Sequence, residues 1–282
     1  MPSDLVYKYM RVDHLPHIWC AGCGNGTLTR DVAVAIDELC NDPDERFRLE
    51  REKVVIVSGI GCSSRAAGYL DFNSIHTTHG RAIAFATGIK LANPELTVIV
   101  LTGDGDCSAI GGNHLIHAAR RNVDMTVVVF DNNIYGMTGG QYSPTTPRGD
   151  KATTAPYGVI DRPFDIAGLA AGAGASLTAR GDTFHVRDTT ELIKKGIKHK
   201  GFSLIDCYSV CPTYYGRKNK KGDAVAMLER QKECGVRAEV YSAMSDEERV
   251  GKYVIGTLTH SNYPEFTAEY QKMIDKAMGK EG

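Results

Sequence analysis

The sequence has no long hydrophobic run, no excess of either charge and only one tryptophan among its 282 residues. Its longest apolar stretches, 97–101 and 126–130, are of strand length. That is far short of the roughly 20 residues needed to cross a bilayer, so no membrane partner is expected. Residues 1–11 carry no apolar core behind a basic start, which predicts no signal peptide and a cytoplasmic protein. A formal net charge of −1 gives no sign of the clustered basic face that nucleic acid requires. Internal repeats and low-complexity tracts are also lacking. What remains is an ordinary globular composition, 42% hydrophobic and 24% charged, in a chain long enough to bury a sizeable core.

Against this background the eight cysteines stand out: Cys20, Cys23, Cys40, Cys62, Cys107, Cys207, Cys211 and Cys234. In a chain without a leader they point to metal or redox chemistry before disulfides. Four Val/Ile/Leu-rich runs, 53–58, 97–102, 125–131 and 203–208, read as buried parallel strands. Helical patterns lie between them at 26–40, 80–92, 108–121, 163–171 and 189–199. Pro94 ends the second, and Asp188 with Thr189 offers N-caps to the fifth. The alternation predicts an α/β fold, an open mostly parallel sheet with helices on both faces and ligands at the carboxyl ends of the strands. Past Cys211 the texture turns polar. We divide the chain into an α/β domain at 1–211 and a C-terminal extension at 212–282, with a last helix at 264–278.

Three strands run into glycine-rich polar sequence: Gly59 to Arg65, Gly103 to Asp106, and Asn132 to Gln141. On its own GDG is a common turn. Followed by Asn-Asn after the next strand, it fits a magnesium–diphosphate site and the thiamine diphosphate fingerprint. Asp104, the amide of Asn132 and the carbonyl of Ile134 supply oxygens for Mg²⁺, and the glycines let the backbone approach phosphate. Gln141, Thr138, Gly139 and Gly140 are expected to form the loop over the diphosphate.

Cys20-Ala21-Gly22-Cys23 could serve zinc, a dithiol or a cluster. No second CxxC or spaced histidine pair supports zinc, and the loop-like 13–19 before it does not suit a thioredoxin motif. A cubane needs four thiolates. Cys62 is the third candidate, and Cys211, just past a strand end, suits the fourth place better than Cys207 inside the strand. Cys40, Cys107 and Cys234 read as structural.

The blocks CAGCGNG, GIGCSSR, HTTHGRA, GDGD, IGGNHLIHAARRN, DNNIYGMTGGQYSPTTP and CPTYYGR, in this order, resemble the β subunit of 2-oxoacid:ferredoxin oxidoreductases. GIGCSSR and HTTHGRA match its 2-oxoglutarate (2-oxoglutarate synthase) branch best. The resemblance implies CoA-dependent oxidative decarboxylation of 2-oxoglutarate, with pyruvate or branched-chain 2-oxoacids as alternatives. A non-redox thiamine decarboxylase or carboligase is the more distant alternative. It further implies one 4Fe-4S cluster on Cys20, Cys23, Cys62 and Cys211, and Mg²⁺ on Asp104, Asn132 and Ile134. Thiamine diphosphate contacts are implied from Ile60, Gly61, Cys62, Ser63, His79, Gly103, Gly105, Asp106, Gly136, Met137 and Thr138. Arg65 would pair with the substrate carboxylate and His79 would face the reacting centre, while His114 and His117 read as packing residues. The family's activating glutamate and its coenzyme A contacts belong to an α subunit, which implies an αβ or (αβ)2 assembly passing electrons to ferredoxin.

Overall fold

A computed structural model describes residues 2–280. Eight strands form the main sheet: β1 (Val54–Ser58), β2 (Asn73–His76), β3 (Thr97–Gly103), β4 (Met125–Asp131), β7 (Leu177–Asp182), β8 (Phe202–Tyr208), β9 (Gly235–Arg237) and β10 (Tyr253–His260). A separate hairpin pairs β5 (Ile134–Tyr135) with β6 (Gln141–Tyr142). The sheet order is β2-β1-β3-β4-β8-β7-β10-β9, and every pairing is parallel except β10 against β7.

Period-2 alternation in β4 divides its side chains between two cores. Val128 and Phe130 join Leu28, Ile36 and Ile193 from helices Asn25–Cys40 and Val186–Lys198. Met125, Val127 and Val129 join Ile83, Leu115 and Ile166 from helices Ala82–Ala92, Gly112–Arg121 and Ile166–Ala173 on the other face. Burial on both faces explains why β1, β3, β4 and β8 read as continuous apolar runs.

The remaining strands carry no such signal. β2 is a polar edge strand, and β7 holds Arg180 and Asp182. Arg180 is tolerated there because Asp165 and Asp206 accept from it at 2.7 and 3.3 Å. β9 and β10 belong to the stretch after Pro212, so part of that extension completes the sheet instead of leaving it. Asn122, at φ 54°, pins the chain end by donating to the carbonyls of Tyr263 and Pro264 at 3.2 and 3.1 Å. The helix expected at 189–199 begins at Val186, so Asp188 and Thr189 are not its caps. The N-cap is His185, with no side-chain cap bond, and Asp182 braces the turn before it by accepting from the backbone N–H groups of Phe184 and His185 at 3.0 and 2.7 Å. Among the described residues no helix is long and apolar enough to cross a membrane.

Candidate active site at the strand ends

The carboxyl ends of β1, β3 and β4 bound a cavity of about 140 Å³. Ile60 to Ser63 line it after β1, Gly103 to Asp106 after β3, and Asn132 with Gly136 to Thr138 after β4, together with His79. Tyr135 also lines it, a residue the sequence reading passed over although it lies inside the β4 block. Ile134 is not in the lining; its side chain packs with Val210, Cys211 and Tyr215 in a small core behind. Gln141 stays outside the wall and braces the loop, with Thr138 donating to it at 2.7 Å and its amide donating to the Thr138 carbonyl at 2.8 Å.

Two buried acids anchor the floor. Thr145 Oγ lies 2.7 Å from Asp104 Oδ2 and 2.8 Å from Asp131 Oδ1, so one hydroxyl bridges both carboxyls. Burial raises the pKa of each; Ser143 and Thr145 oppose the rise at Asp104, and the neighbouring Asp104 and Asp206 add to it at Asp131. Asn133, at φ 61°, returns its N–H and its amide to Asp131, both at 3.1 Å. The turn thereby presents Asn132, whose Oδ1 accepts from the Ile134 N–H at 3.2 Å. One carboxylate, one amide oxygen and local carbonyls form a hard oxygen set of the kind Mg²⁺ prefers, and a cation there would relieve the buried negative charge. Neither Asp131 nor Thr145 was singled out from the sequence.

Asp106 does different work. Its Oδ1 accepts from His79 Nδ1 at 2.5 Å and from the Gly80 N–H at 2.7 Å, and Oδ2 accepts from Thr102 at 2.7 Å. The carboxylate therefore keeps the proton on Nδ1 of His79 and leaves Nε2 as the free ring nitrogen. Gly59 permits the arrangement, since a Cβ there would fall 2.1 Å from Asp106 Oδ2. Arg65 is exposed and does not line the cavity; it sits close enough to Cys62 to favour that thiolate weakly. His114 and His117 lie on helix Gly112–Arg121, outside the cavity.

The CxxC loop does not line the cavity but contacts Cys62, which does. Gly24 donates to the Val210 carbonyl at 3.0 Å, and the Trp19 indole donates to the Cys62 carbonyl at 2.7 Å, which ties residues 19–24 to both other cysteine loops. A Cβ on Gly136 would stand 3.4 Å from Cys62 Sγ and 3.9 Å from Cys211 Sγ. Burial first, and then neighbouring candidate cysteines, lift the Cys23 thiol to about 12 and the Cys62 thiol to about 11. Cys211 is also raised, chiefly by burial. Backbone N–H groups nevertheless aim at these sulfurs: Asn25 at Cys23, Met137 at Cys62, and Tyr214 with Tyr215 at Cys211. Donors directed at three of the four neighbouring thiols suit a cluster, which would hold all four as thiolates. Among the described residues no three His, Cys, Asp or Glu side chains close on a single-ion site. A cubane needs none, because each thiolate takes its own iron. Cys207 instead points at the Ile205 carbonyl at 3.7 Å inside the core, and Cys107 is buried in the opposite core. Cys40 and Cys234 are partly buried and lie outside the group.

The thiamine pyrophosphate enzyme family, by its C-terminal TPP binding domain, matches residues 59–207, the segment that builds this cavity. Fold and site are those of a thiamine pyrophosphate enzyme. The 2-oxoglutarate synthase subunit KorB of Methanocaldococcus jannaschii is 52% identical over 269 residues, 95% of this chain and 97% of that one. A 2-oxoacid:ferredoxin oxidoreductase subunit beta from Sulfolobus sp is 47% identical over 198 residues, 70% of this chain and 62% of that one. The solved 2-oxoglutarate:ferredoxin oxidoreductase of Magnetococcus marinus, with 2-oxoglutarate, coenzyme A and succinyl-CoA bound, superposes at a TM-score of 0.78. It is 33% identical, and the match covers 99% of this chain and 90% of that one. The chain belongs to the family of 2-oxoacid:ferredoxin oxidoreductase β subunits, on the 2-oxoglutarate synthase branch, and is a subunit of an oxidoreductase acting on 2-oxoacids.

Proposed function

We propose that this chain is the cofactor-bearing half of a 2-oxoglutarate oxidoreductase that forms succinyl-CoA and CO₂ and passes the electrons to ferredoxin through one 4Fe-4S cluster. The observation that carries this is Cys62: it lines the Asp104–Asn132 cavity and also neighbours Cys20, Cys23 and Cys211. Asp104, Asn132 and the Ile134 carbonyl would hold Mg²⁺, and Gly103 to Gly105 with Gly136 to Thr138 would seat the diphosphate, while Asp106 contacts the cofactor only through the His79 it orients. Thiamine diphosphate supplies the carbanion-stabilising chemistry, and the cluster supplies one-electron transfer. Asp106 holds His79 so that Nε2 can place or accept a proton. Arg65, exposed near Cys62, pairs with a substrate carboxylate once a partner wall closes over it. The 140 Å³ cavity is less than half of an ordinary ligand pocket, roughly 300 to 1,000 Å³, which supports a second wall from an α subunit. That partner supplies the activating glutamate and the coenzyme A contacts. Residues 212–234 cover the cluster, and the rest of the extension grips the partner. The test is co-expression with the α subunit: this chain alone is inactive, and the complex reduces viologen only with 2-oxoglutarate and coenzyme A. Activity of the isolated chain, or turnover without an electron acceptor, would overturn the proposal.

A further inference from the structure

Between Cys211 and helix Ala224–Cys234 lies the most basic stretch of the chain, Arg217-Lys218-Asn219-Lys220-Lys221, with four cations and no acid, in a protein whose net charge is −1. Arg217, Lys218 and Lys220 are exposed and make no salt bridge among the described residues, while Lys221 pairs with Asp150 at 3.2 Å. The loop is held in a fixed shape. Asn219 accepts from the Lys151 N–H at 2.6 Å and donates to the carbonyls of Lys151 and Tyr215 at 3.0 and 3.1 Å, which brings exposed Lys151 to the same edge. Lys220 closes the turn at φ 54°, and the Lys221 N–H donates to the Gly216 carbonyl at 2.9 Å.

The residues that flank this loop, Pro212 and Ala224, stand against the CxxC turn. Gly22, inside the CxxC at φ +74°, packs so tightly that a Cβ would meet Ala224 Cβ at 2.4 Å and Pro212 Cγ at 3.8 Å. Of the four candidate cluster cysteines only Cys20 is exposed. Two positions before it Ile18 is 66% exposed, and Val225, next to the Ala224 that abuts Gly22, is 62% exposed. An exposed thiol, exposed apolar side chains on the segments that carry it and that pack against its turn, and unpaired cations on the adjoining loop have the form of a small transient docking face.

We propose that this face, centred on Cys20 and rimmed by Lys151, Arg217, Lys218 and Lys220, is where an acidic one-electron carrier protein docks. The inference rests on the cluster assignment above and adds the place and the charge of the encounter. At each encounter the reduced cluster loses one electron and the oxidised carrier gains one, with no bond made or broken. A two-electron oxidation therefore needs two encounters. The unpaired cations steer an acidic carrier toward Cys20, an effect that raises association about tenfold or more at low salt and fades as salt screens it.

The test uses the complex with its α subunit carrying Lys218→Glu and Lys220→Glu, a Lys218→Gln and Lys220→Gln pair, and Lys276→Glu as control. Lys276 lies on helix Phe266–Ala277, whose start is pinned beside Asp124 at the opposite ends of the strands. Each is assayed with a ferredoxin and with methyl viologen across a salt series. The expected result is a fall of about tenfold or more in ferredoxin kcat/KM at low salt for the Glu pair and a smaller fall for the Gln pair. Both pairs should show a flatter salt dependence, with viologen turnover, iron content and coenzyme A KM unchanged, and the control should behave as wild type. Unchanged ferredoxin kinetics would overturn the docking face. So would loss of the α subunit or a raised coenzyme A KM, which would assign the patch to those partners. A wild-type complex without iron or viologen activity would instead sink the cluster assignment on which the face depends.

Discussion

Thr145→Val tests whether the floor of the cavity is built to present Asp104. The substitution keeps volume and β-branching and removes the hydroxyl that lies 2.7 Å from Asp104 Oδ2 and 2.8 Å from Asp131 Oδ1, leaving Ser143 as the remaining hydroxyl beside Asp104. Both carboxyls are almost fully buried, so water cannot replace the lost donor. A hydrogen bond to a charged group contributes about 1.5 to 3 kcal/mol, and every 1.4 kcal/mol is a factor of ten. The affinity of the complex for thiamine diphosphate with Mg²⁺ should therefore fall by about 10- to 100-fold, the usual effect of removing a residue that orients a metal ligand. Calorimetric titration of the cofactor-stripped complex measures it directly. Thr145→Ser, which keeps the hydroxyl, should restore most of the affinity and separates the lost hydrogen bond from general damage. Unchanged affinity in Thr145→Val would refute the argument that this hydroxyl positions Asp104.

Three further outcomes are expected. Cys211→Ser should lose the cluster while Cys207→Ser keeps it, because the Cys207 sulfur faces the Ile205 carbonyl in the core; iron analysis of the two variants checks this. Asp106→Asn removes the carboxylate that fixes the His79 tautomer and should lower kcat about 100-fold with a much smaller effect on cofactor affinity, and an unchanged kcat would remove His79 from the chemistry. Asp31 is buried, its Oδ2 has no hydrogen-bond partner among the described residues, and burial raises its pKa from 3.8 to about 7 against the opposing pull of Arg30. The native state then holds a proton that the unfolded chain has released. Stability falls as pH climbs from about 4 to 7, by up to about 4 kcal/mol at 1.36 kcal/mol per unit. Urea denaturation of Asp31→Asn should show this slope flattened, and an identical slope in both proteins would refute it.

The sequence made legible the parts of the fold whose residues are apolar on both faces. β1, β3, β4 and β8 lie at the centre of the sheet and bury every face, so hydrophobicity alone reports them. β7 was hidden because its buried Arg180 and Asp182 are satisfied by partners distant in the chain, Asp165 and Asp206 for the first and Tyr253 for the second, which no local window can see. β10 was hidden by the polar texture around it and by its pairing with β7, itself unseen. At the site, glycines and acids after strand ends marked the cavity because close approach to a ligand constrains residue type there. Thr145 and Asp131 carried no such mark: a threonine and an aspartate become informative only when a turn brings one hydroxyl between two buried carboxyls. The four cysteines were separable in part by position. Cys207 within a strand and Cys211 just beyond it differ by the direction in which the backbone leaves the sheet, and only the structure shows Tyr214 and Tyr215 turning their N–H groups onto the second.

The central claim is that one continuous site holds both the diphosphate cofactor and the cluster, joined at Cys62. Chemical analysis of iron, sulfide and thiamine in the complex purified without oxygen, before and after Cys62→Ser, tests it most directly. The account predicts about four irons, an equal amount of sulfide and one thiamine per chain in the wild type, with the iron lost and the thiamine retained at reduced affinity in the variant. Thiamine without iron in the wild type, or full iron in Cys62→Ser, would contradict it.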